Sequence, residues 1–233
     1  FISEGDLNIG ELVIPGLSDQ EILISTYFCH PSLANDNLSG VILNAFLAKN
    51  ILNRSNLKYS YRFIWVPETI GAIAYCYFNS QVMKNIDLGL VITSVGGPGK
   101  FSYKQSWDPN HYINKYIEDT LSENDKNWDI YTFDIHGSDE RQYSSLGYRI
   151  NVATISKDKY YQYPEYHTSL DNLDFVKAEY IYDSLMVYIS LINKIEERKI
   201  YKNINPNCEV MLSKHDLYPK SGGAINPNLG ETS

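Results

Sequence analysis

The chain has 233 residues, enough for one large α/β domain with a buried core and a cleft. Its formal charge of -8, with no Lys/Arg run, argues against nucleic acid or an anionic membrane surface as the main partner. Three cysteines without a Cys-x-x-Cys arrangement support neither a disulfide framework nor a thiolate zinc knot; they fit a reducing, cytoplasmic setting.

In chain order, the first predicted strand, 21–28, is apolar at Ile22, Leu23, Ile24, Tyr27 and Phe28. It runs into a turn, 29–40, dense in Pro, Asn, Asp and Gly, which holds His30 and Asp36. An imidazole and a carboxylate close together at a strand end are competent for zinc, although Asp36 would serve equally as a helix cap. A helix is expected over 39–53, with Val41, Ile42, Ala45, Phe46 and Ile51 at helical spacing. A strand over 59–66 then leads through Pro67 to Glu68 at the start of a helix over 70–84. There a carboxylate either complements the helix amino terminus or acts as the general base of a hydrolase.

The third strand, 88–95, ends on Ser94 and Gly96-Gly97, followed by a helix over 110–122 and a strand over 128–133. The turn 137–143 reads Gly-Ser-Asp-Glu-Arg-Gln-Tyr, in which Asp139 and Arg141 form an ordinary ion pair or Asp139 orients a ligand or a substrate amine. After a strand over 149–155, the polar loop 163–174 sets His167 just before the last helix, 176–198, and offers Asp171 or Asp174 as a cap. Strands alternating with helices imply a largely parallel sheet covered on both faces, with ligands beyond the carboxyl ends of the strands. Residues 1–202 are read as the catalytic domain and 203–233 as an irregular segment. The start at Phe1 and the Gly/Pro/Asn-rich tail suggest a piece of a longer protein with further domains. His111, His136 and His215 are read as surface or structural residues. Cys29, one residue before His30, is expected to point the other way, into the core.

The ordered set His-Pro…Asn-Asp-Asn-Leu-Ser-Gly, Pro-Glu-Thr-Ile-Gly, Gly-Ser-Asp-Glu-Arg-Gln-Tyr and Glu-Tyr-His-Thr-Ser-Leu-Asp-Asn-Leu-Asp resembles the aminopeptidase-like domain of bacterial and archaeal proteins. That domain is a branch of the zinc aminopeptidases typified by bacterial leucyl aminopeptidases and the related glutaminyl cyclases. The resemblance spans about 12–218 and implies a three-layer α/β/α sandwich with a mixed, largely parallel central sheet, as in zinc exopeptidases. Residue by residue it implies His30 as the first histidine ligand, Asp36 as the metal-bridging aspartate, Glu68 as the general base and His167 as the last histidine ligand. Asp139 matches an acidic residue that helps shape the site. Two positions depart from the pattern: a second metal-binding Glu stands here as Thr69, and a metal-binding Asp as Ser94. Neither Thr nor Ser is a usual zinc ligand.

His30, Asp36 and His167 would leave a fourth position for water on one catalytic zinc, so one ion is expected in preference to two. In two-metal relatives the two histidines serve different ions about 3.5–4 Å apart, so a single ion needs a shift or a further ligand from Asp139, Glu140 or Glu165. Glu140, Arg141, Tyr143, Glu165 and Tyr166 are candidate substrate-binding residues, and Glu68 and Asp139 candidate catalytic ones. The expected function is a metal-dependent hydrolase that cuts an amide or peptide bond of a small substrate, releasing an amino-terminal residue. The alternatives are a deacylase or amidohydrolase acting on an amide-bearing sugar or metabolite, and a binding module with a degenerate metal site.

Overall fold

A computed structural model of the chain describes residues 5–124, 127–134, 136–204, 206–208, 211–215 and 217. The chain divides into two units, Phe1–Arg198 and Lys199–Ser233. Within the second, the described residues include one short helical turn, Leu212–His215, and much of the tail read as irregular lies outside them.

Seven strands form the sheet of the first unit: β1 (Gly10–Ile14), β2 (Glu21–Tyr27), β3 (Ser60–Val66), β4 (Ile86–Ile92), β5 (Ser102–Lys104), β6 (Asp129–Tyr131) and β7 (Asn151–Ser156), in the order β1-β3-β2-β4-β7-β5-β6. The four central strands, β3, β2, β4 and β7, are mutually parallel. β1 runs antiparallel to β3 and β5 antiparallel to β7. The sheet is therefore mixed and largely parallel, as expected.

The central strands are apolar almost throughout because both faces are covered. Ile22 and Ile24 of β2, Tyr61 and Phe63 of β3, and Leu88, Leu90 and Ile92 of β4 pack on one face with α1 (Gly40–Leu52), α4 (Tyr112–Asn124) and α6 (Ala178–Glu197). The alternate residues Leu23, Ile64, Val66, Val91 and Val152 meet α2 (Ile70–Phe78), α3 (Ser80–Met83) and α5 (Glu140–Tyr143) on the other. α6 buries Ser184, Val187, Tyr188, Leu191, Ile192 and Ile195, spacings of three and four that keep one stripe against α1 and α4. Each fully buried aliphatic contributes about 1.5–3 kcal/mol.

Three features depart from the sequence expectation. The helix expected over 70–84 is broken at Asn79, whose side chain donates to the Tyr75 carbonyl at 3.1 Å and competes with the helical ladder. β1 and β5 were not anticipated; at five and three residues, they are too short to carry a periodic signal. β1 is tied in by Arg62 of β3, which pairs with Glu11 of β1 and Glu21 of β2 and also donates to the Tyr75 hydroxyl at 3.1 Å. Among the described residues no helix is long and apolar enough to cross a membrane.

Candidate metal and catalytic site

The parallel central strands bring the loops after β2, β3, β4 and β7 to one sheet edge, where the candidate residues meet. The link from β2 to α1, Ala34–Ser39, leaves helical geometry at Asp36 and Asn37, and the peptide bond between them is cis. Its shape is set by buried polar groups. The carboxylate of Asp171, fully buried, accepts the N–H of Asn35 at 2.5 Å and of Asp36 at 3.0 Å. The Asn37 side chain donates to Thr26 Oγ1 at 2.9 Å and to the Tyr27 carbonyl at 3.1 Å. Gly40 lets α1 begin here, because a Cβ would sit 2.3 Å from Asn37 Oδ1 and 2.7 Å from the Ile92 carbonyl oxygen.

Asp36 is thereby presented at 1% exposure with each carboxylate oxygen engaged. The Tyr27 hydroxyl donates to Oδ1 at 2.5 Å, and His167 Nε2 lies 3.0 Å from Oδ2. Burial, then the Asp36 and Glu68 charges, hold the Tyr27 phenol well above its ordinary pKa, so it stays a neutral donor. A donor behind a ligating carboxylate fixes its orientation, as second-layer partners do at metal sites.

Of the other groups, His30 shares the β2–α1 connection with Asp36, and Glu68 and His167 come from two further loops. His30 lies three residues beyond the end of β2, with Nε2 3.7 Å from Glu68 Oε2 past the end of β3. His167 sits in a left-handed conformation, φ 54°, and stacks on Tyr166 with ring centroids 3.9 Å apart. The His30 and His167 rings are 5.3 Å apart, and one donor atom each from His30, Asp36 and His167 all fall within 4.8 Å of one another. Two imidazole nitrogens and a carboxylate oxygen so converged fit one zinc-sized cation. Thr69 and Ser94 carry hydroxyls rather than carboxylates; Ser94 is 1% exposed, with its Oγ 3.3 Å from Thr93 Oγ1. Thr69 and Ser94 both have positive φ, 62° and 50°, as does His167, a backbone region that costs a non-glycine residue energy.

Cys29 is a correction. β2 ends at Tyr27, so strand alternation no longer governs the residue, and its thiol is exposed rather than buried in the core. Sγ accepts the Glu68 N–H at 3.2 Å and lies 3.5 Å from His30 Nδ1, and Cys29, His30 and Glu68 form a second set of donors within 4.8 Å. Partial burial, chiefly, pushes the thiol pKa up.

The turn 137–143 divides its residues between support and cavity. Asp139 is fully buried, and its Oδ1 accepts the Thr69 N–H at 2.7 Å, so it braces the Glu68–Thr69 peptide from behind. Desolvation, reinforced by Glu68 and Glu140, raises its pKa to about 7. Glu140, offered from sequence as a substrate contact, is 1% exposed and turned to Lys104 Nζ at 3.3 Å and to the Ser138 N–H at 3.0 Å. Tyr143 is likewise buried, 2.9 Å from Ser25 Oγ in the core. Arg141 and Tyr166 do line a cavity of about 220 Å³, together with Glu68, Thr69, Tyr161 and His167. Glu165 is half-buried in the loop before His167, where its carbonyl accepts the Thr168 N–H at 3.1 Å.

A family described as "Domain of unknown function (DUF4910)" matches residues 2–198. The chain belongs to the DUF4910 family. It is 41% identical over 222 residues to a protein of Clostridium acetobutylicum named "Putative polysaccharide biosynthesis protein with aminopeptidase-like domain", across 95% of this chain and 51% of that one. A crystal structure named as a "putative peptidase" from the same organism superposes with TM-score 0.79 at 42% identity, covering 88% of this chain and 48% of that one. The chain thus spans about half the length of these relatives. This DUF4910 member also shares its fold with BSAP, a zinc aminopeptidase from Bacillus subtilis: TM-score 0.66, 16% identity, 82% of this chain and 50% of that one. The α/β/α fold and the aminopeptidase-like affinity expected from the motifs therefore stand.

Sequence reasoning missed Asp171 as the clamp on the Asp36 turn, reading it only as a possible helix cap. Its place four residues after His167 was the available signal, since the same loop supplies both a candidate ligand and a support. Tyr27 was read as an apolar strand residue, and its hydrogen bond to Asp36 links residues nine apart, on a strand and in a turn.

Proposed function

We propose that this DUF4910 domain is a zinc-dependent hydrolase of amide bonds, of the aminopeptidase kind, using one ion held by His30, Asp36 and His167. The observation that carries this reading is the convergence of those three donors within 4.8 Å of one another beside Glu68, with His167 and Glu68 lining a cavity. Bound zinc supplies Lewis acidity, polarising a carbonyl and making a water more acidic. Glu68 accepts the proton of the attacking water and returns it to the leaving amine. Asp139, through the Thr69 N–H, positions Glu68 without touching substrate. Tyr27 keeps Asp36 turned toward His167.

The cavity, about 220 Å³, is smaller than the roughly 300–1,000 Å³ of drug-sized sites, which suits a single residue or sugar at the cleaved end. The chain's charge of -8 favours a substrate bearing a free ammonium group. Amide-bearing sugars are the second reading, supported by a cavity wall that includes Tyr27, Tyr160, Tyr161 and Tyr166, and by the relative whose name joins polysaccharide biosynthesis to an aminopeptidase-like domain. Aminoacyl-anilides and N-acetyl sugars assayed side by side, with and without added zinc, separate the two. Turnover of neither by protein that holds zinc overturns the hydrolase reading in favour of a binding module.

A further inference from the structure

The hydrolase reading uses His30 and Glu68 but leaves idle the thiol that touches both. Cys29 Sγ is 3.5 Å from His30 Nδ1 and takes the Glu68 N–H at 3.2 Å, and on the far side of the imidazole Nε2 is 3.7 Å from Glu68 Oε2. One donor from each residue lies within 4.8 Å of the others. A tetrahedral zinc with sulfur at about 2.3 Å and nitrogen at about 2.0–2.1 Å spaces those two donors about 3.5 Å apart, the spacing of the Cys29–His30 pair. Thiolate with imidazole and carboxylate is a donor set for zinc and other thiophilic divalent ions.

The two donor sets share His30. A neutral imidazole has one nitrogen lone pair to give, so His30 serves one ion at a time. We infer that Cys29, His30 and Glu68 form a second, inhibitory metal site, which takes a thiophilic divalent cation in competition with the His30–Asp36–His167 position. Binding there forms bonds from the cation to sulfur, nitrogen and oxygen and releases the thiol proton to solvent, with no change of oxidation state. It withdraws His30 from the Asp36–His167 side and occupies the carboxylate of Glu68, the base that must stay free to take a proton from water. The backbone N–H of Glu68, already on Sγ, stabilises the thiolate so formed. Inhibition rests on the proposed function; the ligand set stands on the donors alone.

The test is titration of the metal-free protein with Co²⁺, followed by absorption. A sulfur-to-cobalt charge-transfer band is expected in the wild type, in Cys208→Ser, which removes the other exposed thiol, and in His167→Ala, and it should vanish in Cys29→Ser. No band at saturating Co²⁺, or an unchanged band in Cys29→Ser, overturns the site. On a substrate the protein turns over, excess zinc should slow the wild type at least tenfold, and Cys29→Ser less than twofold relative to its own maximum; equal inhibition of both overturns the inhibitory role. A band in wild-type protein that holds zinc yet hydrolyses nothing supports the ligand set while sinking the hydrolase reading, so the two fail separately.

Discussion

The two regions that contribute Asp36 and His167 are built in opposite ways. Asp36 lies in a turn whose polar groups are buried and satisfied: Asp171 holds two of its backbone N–H groups, Asn37 ties it to β2, and Tyr27 holds its carboxylate. His167 rides an exposed loop, its side chain 47% accessible, supported by a stacked Tyr166 and the contact to Asp36 itself. The Asp36 wall is thus fixed by buried hydrogen bonds, whereas the His167 wall is held by few contacts. The contrast separates residues whose loss unfolds the site from those whose loss only empties it.

The largest effect is expected at the carboxylate next to both walls. Glu68→Gln should lower turnover by about 10²–10⁴-fold while His30, Asp36 and His167 still retain zinc; a rate within threefold of wild type sinks the base assignment. Next comes the pH dependence set by Asp139. Its folded pKa of about 7 lies above the roughly 3.9 of an unfolded Asp, so between those values the unfolded state binds fewer protons and stability falls as pH rises. The penalty reaches up to about 4 kcal/mol above pH 7, and Asp139→Asn, which keeps an acceptor for the Thr69 N–H, should flatten the slope in denaturant melts from pH 4 to 8.

A direct comparison of the two regions follows. Asp171→Ala strands two buried N–H groups and should destabilise the protein by about 2–4 kcal/mol. His167→Ala should change stability by no more than about 0.5 kcal/mol, yet weaken zinc binding by more than about 100-fold. Equal losses of stability in the two variants would break the contrast of rigid and open walls. The smallest effect is expected at Tyr166→Leu, where losing a stack of about 1 kcal/mol should weaken zinc about fivefold with an unchanged melting curve.

Much of the candidate site was legible because its residues sit in dense polar runs at the ends of apolar segments, where strand-to-loop transitions are marked by Pro, Asn, Asp and Gly. His30, Asp36, Glu68 and His167 were each visible in this way. Asp139 was visible too, but not its direction: sequence placed it in the chemistry, whereas the fold turns it toward the Thr69 N–H. Glu140 and Tyr143 looked like cavity residues because α5 is a single short turn of four residues, and nothing local reveals which side of so short a segment is buried. Cys29 was misplaced because strand alternation was extended two residues beyond the strand that justified it.

By itself the sequence determined the layered α/β/α architecture, since apolar periodicity and its interruptions are local properties of the chain, and it determined the chemical types available at each strand end. The tertiary structure alone decided which of those types share a space. Asp171 reaches Asp36 across 135 residues, and His167 reaches it across 131. Whether the thiol of Cys29 faces the core or His30 depends on where β2 stops pairing with β3, and hydrogen bonding between strands, which no single segment carries, sets that end.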